Sequence, residues 1–350
     1  MICNIIKRLL IIVFLCAPLP AAAGEASRVF IVASYEEGHV CGGPQEEGVV
    51  AGLAEKGWTE GGNLEVRRYY MDTKRANTTP ELMREQAARA LERINEFKPD
   101  VVVTLDDNAF REVGLALAGR EGVSVVFSGL NGQPEEYDEQ TPFMHTRQAP
   151  GGNITGVYEK LYVERSVRVF EMIPDLKGDT YVFITDRSPT GYALAKQLAL
   201  ELENPLPGLK YRFEVADDWA GYQALILSLN ESDSVKGIYP VALTLKVDDQ
   251  TTYTTGDIFG WTIRNSRHPE MALNYFFSKI GLFGGAAVDF ISMGRLAGLK
   301  AGAILDGEPA GTLPIEDAPD YAIVFNLTRA RSLGIEIPHS LLTAADLVYE

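Results

Sequence analysis

Hydrogen-bonding side chains follow nearly every short apolar run of this sequence, at the positions where buried strands would end. In open parallel sheets, ligands bind in the crevice outside the carboxyl ends of the strands. Asp, Asn, Ser and Thr also favour turns and helix N-caps, so each of these residues taken singly has a structural explanation. As a set they predict a polar binding cleft lined by Ser34, Tyr35, Asp107, Asn108, Ser128, Asn131, Thr185, Asp186, Ser188 and Thr244.

Three aromatic residues also fall at expected strand ends. They are Tyr35, Tyr239 and Trp261, the last at the end of a run over 258–261 that we interpret as a strand. Such rings could stack on a ring-containing ligand or pack within the protein, and the sequence leaves both interpretations open.

Motifs typical of enzymes are missing from the sequence. His39, His145, His268 and His339 are scattered, without metal-ligand spacing, and His39 with Cys41 makes at most half of a site. The sequence also has no nucleophile elbow, no phosphate-binding loop of the Walker type and no dinucleotide fingerprint. We therefore expect no catalytic residue, no metal and no cofactor.

The Asp106-Asp107 pair is the remaining candidate for acid-base chemistry. Adjacent residues of a strand point to opposite faces, so at most one of the two carboxylates faces a cleft unless the strand has already ended. A periplasmic hydrolase that uses Asp107 therefore stays open as an alternative to a binding protein.

The N-terminal residues 1–24 have the layout of a secretory signal peptide. Lys7 and Arg8 precede a short apolar block, and Ala21-Ala22-Ala23 forms a cleavage site. We expect a mature chain that begins near Gly24 in the periplasm. An uncleaved signal anchor and a lipoprotein attached at Cys16 are the alternatives.

Composition disfavours some classes of partner and excludes an internal disulfide in the mature chain. The formal net charge of −16 disfavours binding to nucleic acid or to anionic lipid head groups. Of the three cysteines only Cys41 remains after removal of the signal peptide, so no internal disulfide can form. The 350 residues are enough for two domains that rest on their own apolar cores.

Strand and helix patterns alternate along the whole chain. Helical periodicity over 80–97 precedes a Val-rich run at 101–105, and a second series of such units begins near 163. This alternation predicts an α/β protein with two doubly wound lobes of parallel sheet. A Gly- and Pro-rich stretch over 129–152 is the expected linker, and a helix is expected near 269–282.

Motifs near the middle and the end of the chain resemble a known family. Residues 151–157 read Gly-Gly-Asn-Ile-Thr-Gly-Val, and the segments 303–309, 324–330, 333–338 and 341–346 follow in the same order and spacing. This pattern resembles the ABC transporter substrate-binding proteins that include tryptophan- and tyrosine-binding lipoproteins. The resemblance implies a type I periplasmic-binding-protein fold with two lobes joined by a hinge.

The resemblance also implies lobe boundaries, which we place at 25–150 with a return segment at about 286–315, and at 151–285 with a C-terminal segment at about 316–350. Two departures affect the ligand. The loop after the strand near Phe127 reads Ser-Gly-Leu-Asn-Gly, and Glu159 replaces the usual aspartate of the family. The resemblance therefore implies the fold of the family for this sequence, but it does not imply the same ligand.

These observations predict a monomeric, periplasmic solute-binding protein of an ABC importer. The candidate ligand is a small solute such as an amino acid, with an aromatic one favoured. Its ammonium would pair with a carboxylate, while hydroxyls and a helix N-terminus would take its carboxylate. The candidate carboxylates are Asp107, Glu159, Asp186 and Asp289. A ligand receptor for a sensor kinase is the alternative, so the membrane partner is either a permease or a kinase.

Closure of two lobes on the solute requires a hinge. The segments 128–131, 283–287 and 312–315 are the expected crossovers, because their glycines could absorb a backbone rotation at low cost.

Overall fold

The computed structural model describes residues 26–241, 243–248 and 251–350. The expected signal peptide lies outside the described residues. The first part of the chain alternates strands and helices as the sequence predicts. Its elements are β1 (Ser27–Ala33), α1 (Gly42–Glu55), β2 (Leu64–Tyr70), α2 (Pro80–Phe97), β3 (Val101–Leu105), α3 (Asp106–Ala109), β4 (Ser124–Leu130), α4 (Pro134–Gln140) and β5 (Ile154–Tyr158).

The second part continues the alternation and adds a C-terminal group of short elements. In chain order they are α5 (Val163–Glu171), β6 (Thr180–Asp186), α6 (Pro189–Glu201), β7 (Lys210–Ala216), α7 (Trp219–Leu229), β8 (Val235–Pro240), α8 (Thr255–Asn265), α9 (Tyr275–Ile280), β9 (Gly284–Val288), α10 (Phe290–Leu305), β10 (Glu316–Asp317), β11 (Tyr321–Asn326), α11 (Leu327–Leu333), α12 (His339–Ala344) and β12 (Leu347–Tyr349). Among the described residues, no helix combines the length and apolar character needed to cross a bilayer.

The first lobe is built on a six-stranded sheet in the order β10-β5-β4-β3-β1-β2. All of its strand pairs are parallel. The inner strands are buried on both faces, as their continuous apolar runs predict. This lobe confirms the doubly wound α/β class.

The second lobe combines the parallel sheet β7-β6-β8 with the sheet β12-β11-β9. The segment 270–274 joins them, because Glu270 bridges to Ile238 of β8 and Met271 bridges to Gly284 of β9. The pair β9 and β11 is antiparallel, which is the one exception to the expected parallel pairing among the described strands.

The chain changes lobe at positions that differ from the expected ones. Strand β5, which we expected in the second lobe, pairs with β4 in the first. Helix α10 packs on α1 of the first lobe, while β9 and β11 on either side of it in sequence belong to the second. The crossovers therefore lie at about 159–162, near 289, and at about 318–320.

The expected hinge segments are corrected accordingly. Residues 128–130 belong to β4 and residues 284–287 belong to β9, so hydrogen bonding within a sheet holds both segments. The third segment, 312–315, follows a 3-10 turn and runs into β10 of the first lobe. We predicted these positions as hinges because of their glycines. In the first two segments, strand pairing holds the backbone in place instead.

The run over 258–261 forms part of helix α8 and is not a strand, which corrects the sequence interpretation. A capping box between Thr254 and Asp257 starts this helix. Ile258, Phe259 and Thr262 form its buried face. A short apolar run does not distinguish a strand from a buried helix face, and the cap upstream decides between them.

The helix expected near 269–282 is also shorter than predicted. Residues 270–274 are extended where they join the two sheets of the second lobe, and α9 begins only after Asn274, whose side chain caps it. Buried Glu270 is anchored in this segment by Arg329, with its Oε1 2.5 Å from a guanidinium nitrogen. Tertiary pairing therefore replaces the first half of the expected helix.

Helices α1 and α10 approach each other closely through glycines. A Cβ on Gly48 would lie 2.2 Å from the carbonyl oxygen of Ile291, and a Cβ on Gly52 would lie 2.2 Å from that of Arg295. On the facing helix, a Cβ on Gly294 would lie 2.1 Å from the carbonyl oxygen of Gln45. The four-residue spacing of the glycines on α1 places them on one face of the helix.

Replacing Gly52 by alanine is expected to lower the free energy of unfolding by about 1–2 kcal/mol. Overpacking costs roughly 1–3 kcal/mol, and this exceeds the roughly 0.5–1 kcal/mol that alanine gains over glycine inside a helix. Urea denaturation measures the change. Gly42→Ala in the same helix is the control, because a Cβ there meets no atom within 4 Å. Equal stabilities of the two variants would contradict the close contact.

Candidate functional site

Gln45 of α1 reaches from its helix to the carboxyl ends of the strands. It is fully buried, and its Nε2 donates to Oδ1 of Asp106 at 2.9 Å. Its Oε1 accepts from the hydroxyl of Ser128 at 3.0 Å. Both ends of the amide are engaged, so Gln45 fixes the orientation of Asp106. The sequence analysis did not identify Gln45, because nothing in a helix pattern marks a buried glutamine as functional.

Ser34 connects two neighbouring strand ends. Its hydroxyl donates to the carbonyl of Leu105 at 2.7 Å and accepts from the backbone N–H of Ala109 at 2.8 Å. Its carbonyl accepts from the hydroxyl of Thr73 at 2.8 Å. The predicted site residue Ser34 therefore holds β1 and β3 together and supports the turn that carries the acidic pair.

Asp107 is fully engaged inside the first lobe. Its carboxylate accepts from the backbone N–H and side-chain Nδ2 of Asn131, from the N–H of Gly132 and from the hydroxyl of Tyr137. The distances are 3.1, 2.8, 3.1 and 2.5 Å. Three of these donors bond Oδ1 and one bonds Oδ2, so this carboxylate organises the loop that follows β4.

Asn108 has a similar internal role. Its Nδ2 donates to the hydroxyl of Thr73 at 2.8 Å, and its Oδ1 accepts from Arg111 at 2.7 Å. The predicted residues of the first lobe thus come together at one end of the sheet, but several of them engage one another.

Asp106 is the residue of the acidic pair that keeps a free oxygen. It is 2% exposed, and its Oδ2 has no hydrogen-bond partner in the part of the chain that the structure describes. Its φ of +65° lies in the left-handed region, which ends the alternation of a strand and turns Asp106 and Asp107 in different directions. Asp107 is the predicted site residue, whereas the strand has already ended at Leu105 and the free oxygen lies on Asp106.

Burial raises the pKa of Asp106 from 3.8 to about 7. The hydrogen bond from Gln45 opposes this shift, the charge of Asp107 adds to it, and Lys74 opposes it weakly. The pKa of this group therefore lies near neutral pH, where binding of a charged ligand changes its protonation.

Glu159 lies directly after β5, where the chain leaves the first lobe. It is 2% exposed, and its Oε1 is buried without a partner among the described residues. Burial raises its pKa well above the usual value, and the charges of Asp106 and Asp107 add to this effect. Glu159, which the sequence analysis selected for its difference from the related family, is thus both a crossover residue and a free buried acid.

Two neutral polar groups share this environment. Oδ1 of Asn131 and the hydroxyl of Tyr239 are buried, and neither has a partner among the described residues. Tyr239 ends β8 of the second lobe, and its pKa is raised by burial and by the charges of Glu201 and Glu159. The unpartnered groups therefore come from both lobes, and Tyr239 is close enough to Glu159 for that charge to act on it.

The ring of Tyr35 borders these acids and contacts His39, with 4.4 Å between the two ring centroids. Nζ of Lys74 lies 5.3 Å from the centroid of Tyr35. Burial, followed by the charge of Lys74, lowers the pKa of His39 to about 3, so this imidazole is neutral at pH 7.

The predicted residues of the second lobe lie around the end of β6. The carboxylate of Asp186 accepts from the backbone N–H of Ser188 at 2.8 Å and from that of Thr244. Ser188 caps α6 by accepting from the N–H of Gly191 at 3.0 Å, and Thr185 is buried beside them in the strand. Asp186 thus holds together the two loops that flank the N-terminus of α6.

Trp261 and Asp289 have other neighbours. Trp261 lies on α8 and packs against Trp219 and Tyr222, with ring centroids 5.5 and 6.3 Å away. Asp289 caps α10 by accepting from the N–H of Ser292 at 3.0 Å, at the second crossover.

The two lobes touch on both sides of this space. The hydroxyl of Thr252 donates to the carbonyl of Lys74 at 2.5 Å on one side. On the other, Nε2 of Gln133 donates to Gln197 at 2.8 Å, and Lys196 pairs with Glu136 at 3.1 Å. The lobes are therefore closed over the unpartnered polar groups.

Metal binding has no structural basis in the described part of the chain, where no three His, Cys, Asp or Glu side chains converge as ligands. The backbone N–H of Cys41 donates to Nδ1 of His39 at 3.2 Å, and Nδ2 of Asn274 lies 3.5 Å from the Cys41 sulfur. Burial raises the pKa of the Cys41 thiol, which keeps it protonated.

Comparison with solved structures shows the fold. A conserved domain protein from Vibrio cholerae matches with a TM-score of 0.71 at 21% identity, over 93% of this chain and 100% of the other. A Streptococcus pneumoniae ABC domain in complex with L-Trp matches with a TM-score of 0.70 at 15% identity, over 93% and 100%. A ligand-free, open substrate-binding protein with adhesive properties from Clostridium difficile matches with a TM-score of 0.65 at 15% identity, over 93% and 99%.

These similarities extend over both lobes and show that this chain has the two-lobed type I periplasmic-binding-protein fold. No protein-family model matches the sequence, and a comparison with curated proteins finds no match.

Proposed function

We propose that this protein is an exported solute-binding protein of an ABC importer, which closes its two lobes on a small solute. One observation carries the proposal: buried polar groups without partners among the described residues come from both lobes, at the ends of neighbouring strands of the first lobe and at β8 of the second. Leaving such a group unpaired costs about 1–3 kcal/mol. A solute that pairs them removes this cost, and this favours the closed arrangement of the lobes.

Glu159 couples binding to closure in this proposal. Its backbone N–H donates to the carbonyl of Leu130 at 2.9 Å, which holds it to the first lobe at the point where the first crossover begins. A solute that contacts Glu159 and Tyr239 together bridges the lobes. Binding of the solute then shifts the population from the open to the closed form. The size of the shift is set by how much more tightly the closed form binds the solute than the open form does.

The closed form would be recognised by a membrane partner in the periplasm. A permease is the partner in an importer, and a sensor kinase remains the alternative partner for the same closure. The periplasmic location rests on the signal-peptide pattern of residues 1–24. The protein would act as a monomer that carries one solute.

The hydrolase alternative has little support. Asp107 accepts four hydrogen bonds from protein donors, so its carboxylate is committed to the loop after β4 and is poorly placed to activate a water. A binding role without chemistry needs no such group.

Native mass spectrometry of the protein purified from its host tests the proposal directly. We expect a retained small solute that is released on unfolding and is recovered unchanged after prolonged incubation. Recovery of a converted product would indicate an enzyme. Failure of every co-purified or added solute to raise the melting temperature would contradict a binding role.

Ligand is also expected to compact the protein without changing its secondary structure. Protein stripped of solute by reversible unfolding should show a larger radius of gyration in small-angle X-ray scattering than the same sample after the recovered solute is restored. The far-UV circular dichroism should stay the same, because the lobes move as rigid bodies. An equal radius of gyration in both states would contradict closure.

A further inference from the structure

The unpartnered groups between the lobes are almost all hydrogen-bond acceptors. Oδ2 of Asp106, Oε1 of Glu159 and Oδ1 of Asn131 are oxygens of this kind when the two acids are ionised. Only the hydroxyl of Tyr239 can also donate. A ligand that satisfies this set must therefore bring donors.

The donors of the same side chains are engaged within the protein. Nδ2 of Asn131 donates to Asp107, and Nε2 of Gln45 donates to Asp106. These internal bonds orient both amides so that oxygen, and not nitrogen, is left over at Asn131. The free acceptors therefore include a neutral amide oxygen as well as carboxylate oxygens.

The topology places the three acceptors together. Asp106, Asn131 and Glu159 follow β3, β4 and β5, which are neighbours in the first sheet. Adjacent strands lie about 4.8 Å apart, so the two acids flank the amide at a separation that one small group can bridge. The unpartnered hydroxyl of Tyr239 belongs to the second lobe, and the charge of Glu159 contributes to its raised pKa.

Positive charge is scarce around this set. Within the described residues, Lys74 is the one cation whose charge acts on the pKa values of both Asp106 and Glu159, and its Nζ lies over the ring of Tyr35. No arginine is among the groups that shift the pKa of either acid.

We propose that the interlobe site binds a small organic cation through a primary ammonium group held by Asp106, Asn131 and Glu159, and that it prefers an amine to the corresponding amino acid. The inference rests on the proposed solute-binding function. An ammonium carries three donors and no acceptor, which matches the three free oxygens of the first lobe.

Proton release should accompany binding of the cation. Asp106 and Glu159 have raised pKa values in the unliganded protein, and a cation between them favours their ionised forms. The charges of Lys74, Asp107 and Glu201 act on this pair, and the pair in turn acts on the titratable groups of Tyr35, Cys41 and Tyr239. Affinity for an amine should therefore rise between pH 6 and pH 8, where the amine itself stays protonated.

The test is a thermal-shift screen of the solute-free protein against primary amines, the matching amino acids and the matching carboxylic acids. One such set is tyramine, L-tyrosine and 3-(4-hydroxyphenyl)propionate, and another is 3-methylbutylamine, L-leucine and 4-methylpentanoate. We expect stabilisation by at least one amine, with at least tenfold weaker binding of its amino acid in calorimetry. Stabilisation by amino acids or carboxylic acids but by no amine would overturn the inference and leave the solute-binding function intact, whereas no stabilisation by any solute would overturn both.

Variants of the site make the test specific. Asp106→Asn and Glu159→Gln should each weaken binding of the amine identified in the screen by tenfold or more, while Glu85→Gln on the exposed face of α2 should not. Calorimetry at pH 6.5 in phosphate and in imidazole buffers should give different apparent enthalpies for the parent, because protons are released. The double variant should lose this difference. Unchanged affinity in both single variants, or the same enthalpy for the parent in both buffers, would overturn the inference.

Discussion

Replacing Asp107 by asparagine is expected to lower the free energy of unfolding by about 3 kcal/mol. Hydrogen bonds to a charged group contribute about 1.5–3 kcal/mol each, and Asp107 accepts four of them. Asparagine keeps the shape but turns an NH2 group towards backbone N–H donors, which leaves at least one buried donor unpaired. Urea denaturation followed by circular dichroism measures the loss.

The structural role of Asp107 also predicts a secondary effect on binding. The loop after β4 carries Asn131, whose backbone and side chain both donate to Asp107. Loosening this loop should weaken solute binding together with stability. Glu85→Gln is the control for loss of one negative charge at an exposed position. Full stability of Asp107→Asn would show that this carboxylate does not organise the loop.

The neighbouring substitution, Asp106→Asn, is expected to have the opposite sign: the unliganded protein should gain about 1–3 kcal/mol of stability at pH 8, because removal of the ionised acid outweighs the cost of one unpaired amide N–H. The pKa of Asp106 is raised from 3.8 to about 7. Since each tenfold change in proton affinity corresponds to about 1.4 kcal/mol, ionising this buried acid destabilises the fold by up to roughly 4 kcal/mol. Asparagine also tolerates the left-handed backbone of this position, so the exchange adds no strain.

The pH dependence of this gain follows from the direction of the pKa shift. A carboxyl group with a raised pKa in the folded state stabilises the fold while it is protonated, and this contribution is lost as the pH rises through the folded-state pKa. The stability advantage of Asp106→Asn should therefore be small near pH 4, grow between pH 4 and pH 7, and stay constant above. Melting temperatures of the two proteins across this range, measured without ligand, provide the test. An advantage that does not vary with pH would contradict the raised pKa.

A loss of stability in Asp107→Asn together with a gain in Asp106→Asn would distinguish two kinds of buried acid. One is satisfied by protein donors and stabilises the fold. The other keeps an oxygen free at a cost in stability, as expected for a group whose partner is a ligand. A variant that gains stability while it loses affinity is the usual sign of such a site.

The amino-acid sequence alone determined the class of this fold. Continuous apolar runs such as Val101–Leu105 are buried on both faces, and the helix over Pro80–Phe97 begins at Thr79 and Pro80 as predicted. These features depend on local periodicity and on caps, which a sequence displays directly. The same reasoning identified the strand ends at which Asn131 and Tyr239 lie, whereas Glu159 was selected through the resemblance to the substrate-binding family.

Only the tertiary structure decided which of these polar residues stay free. Asp106 and Asp107 are chemically identical neighbours, and their roles differ because the left-handed φ at Asp106 breaks the strand alternation and because Asn131, Gly132 and Tyr137 reach only Asp107. Whether a buried carboxylate has partners depends on groups more than 20 residues away. Periodicity carries no such information.

Tertiary contacts also decided the lobe boundaries and the local structure of the second lobe. Strand β5 joins the first sheet because its partners in β4 are there, and residues 270–274 stay extended because they link two sheets. Pairing between distant segments supplies hydrogen bonds that outweigh local helix preference. The sequence determines which elements can form and where their ends lie. The contacts between those elements decide which side chains are left for a ligand.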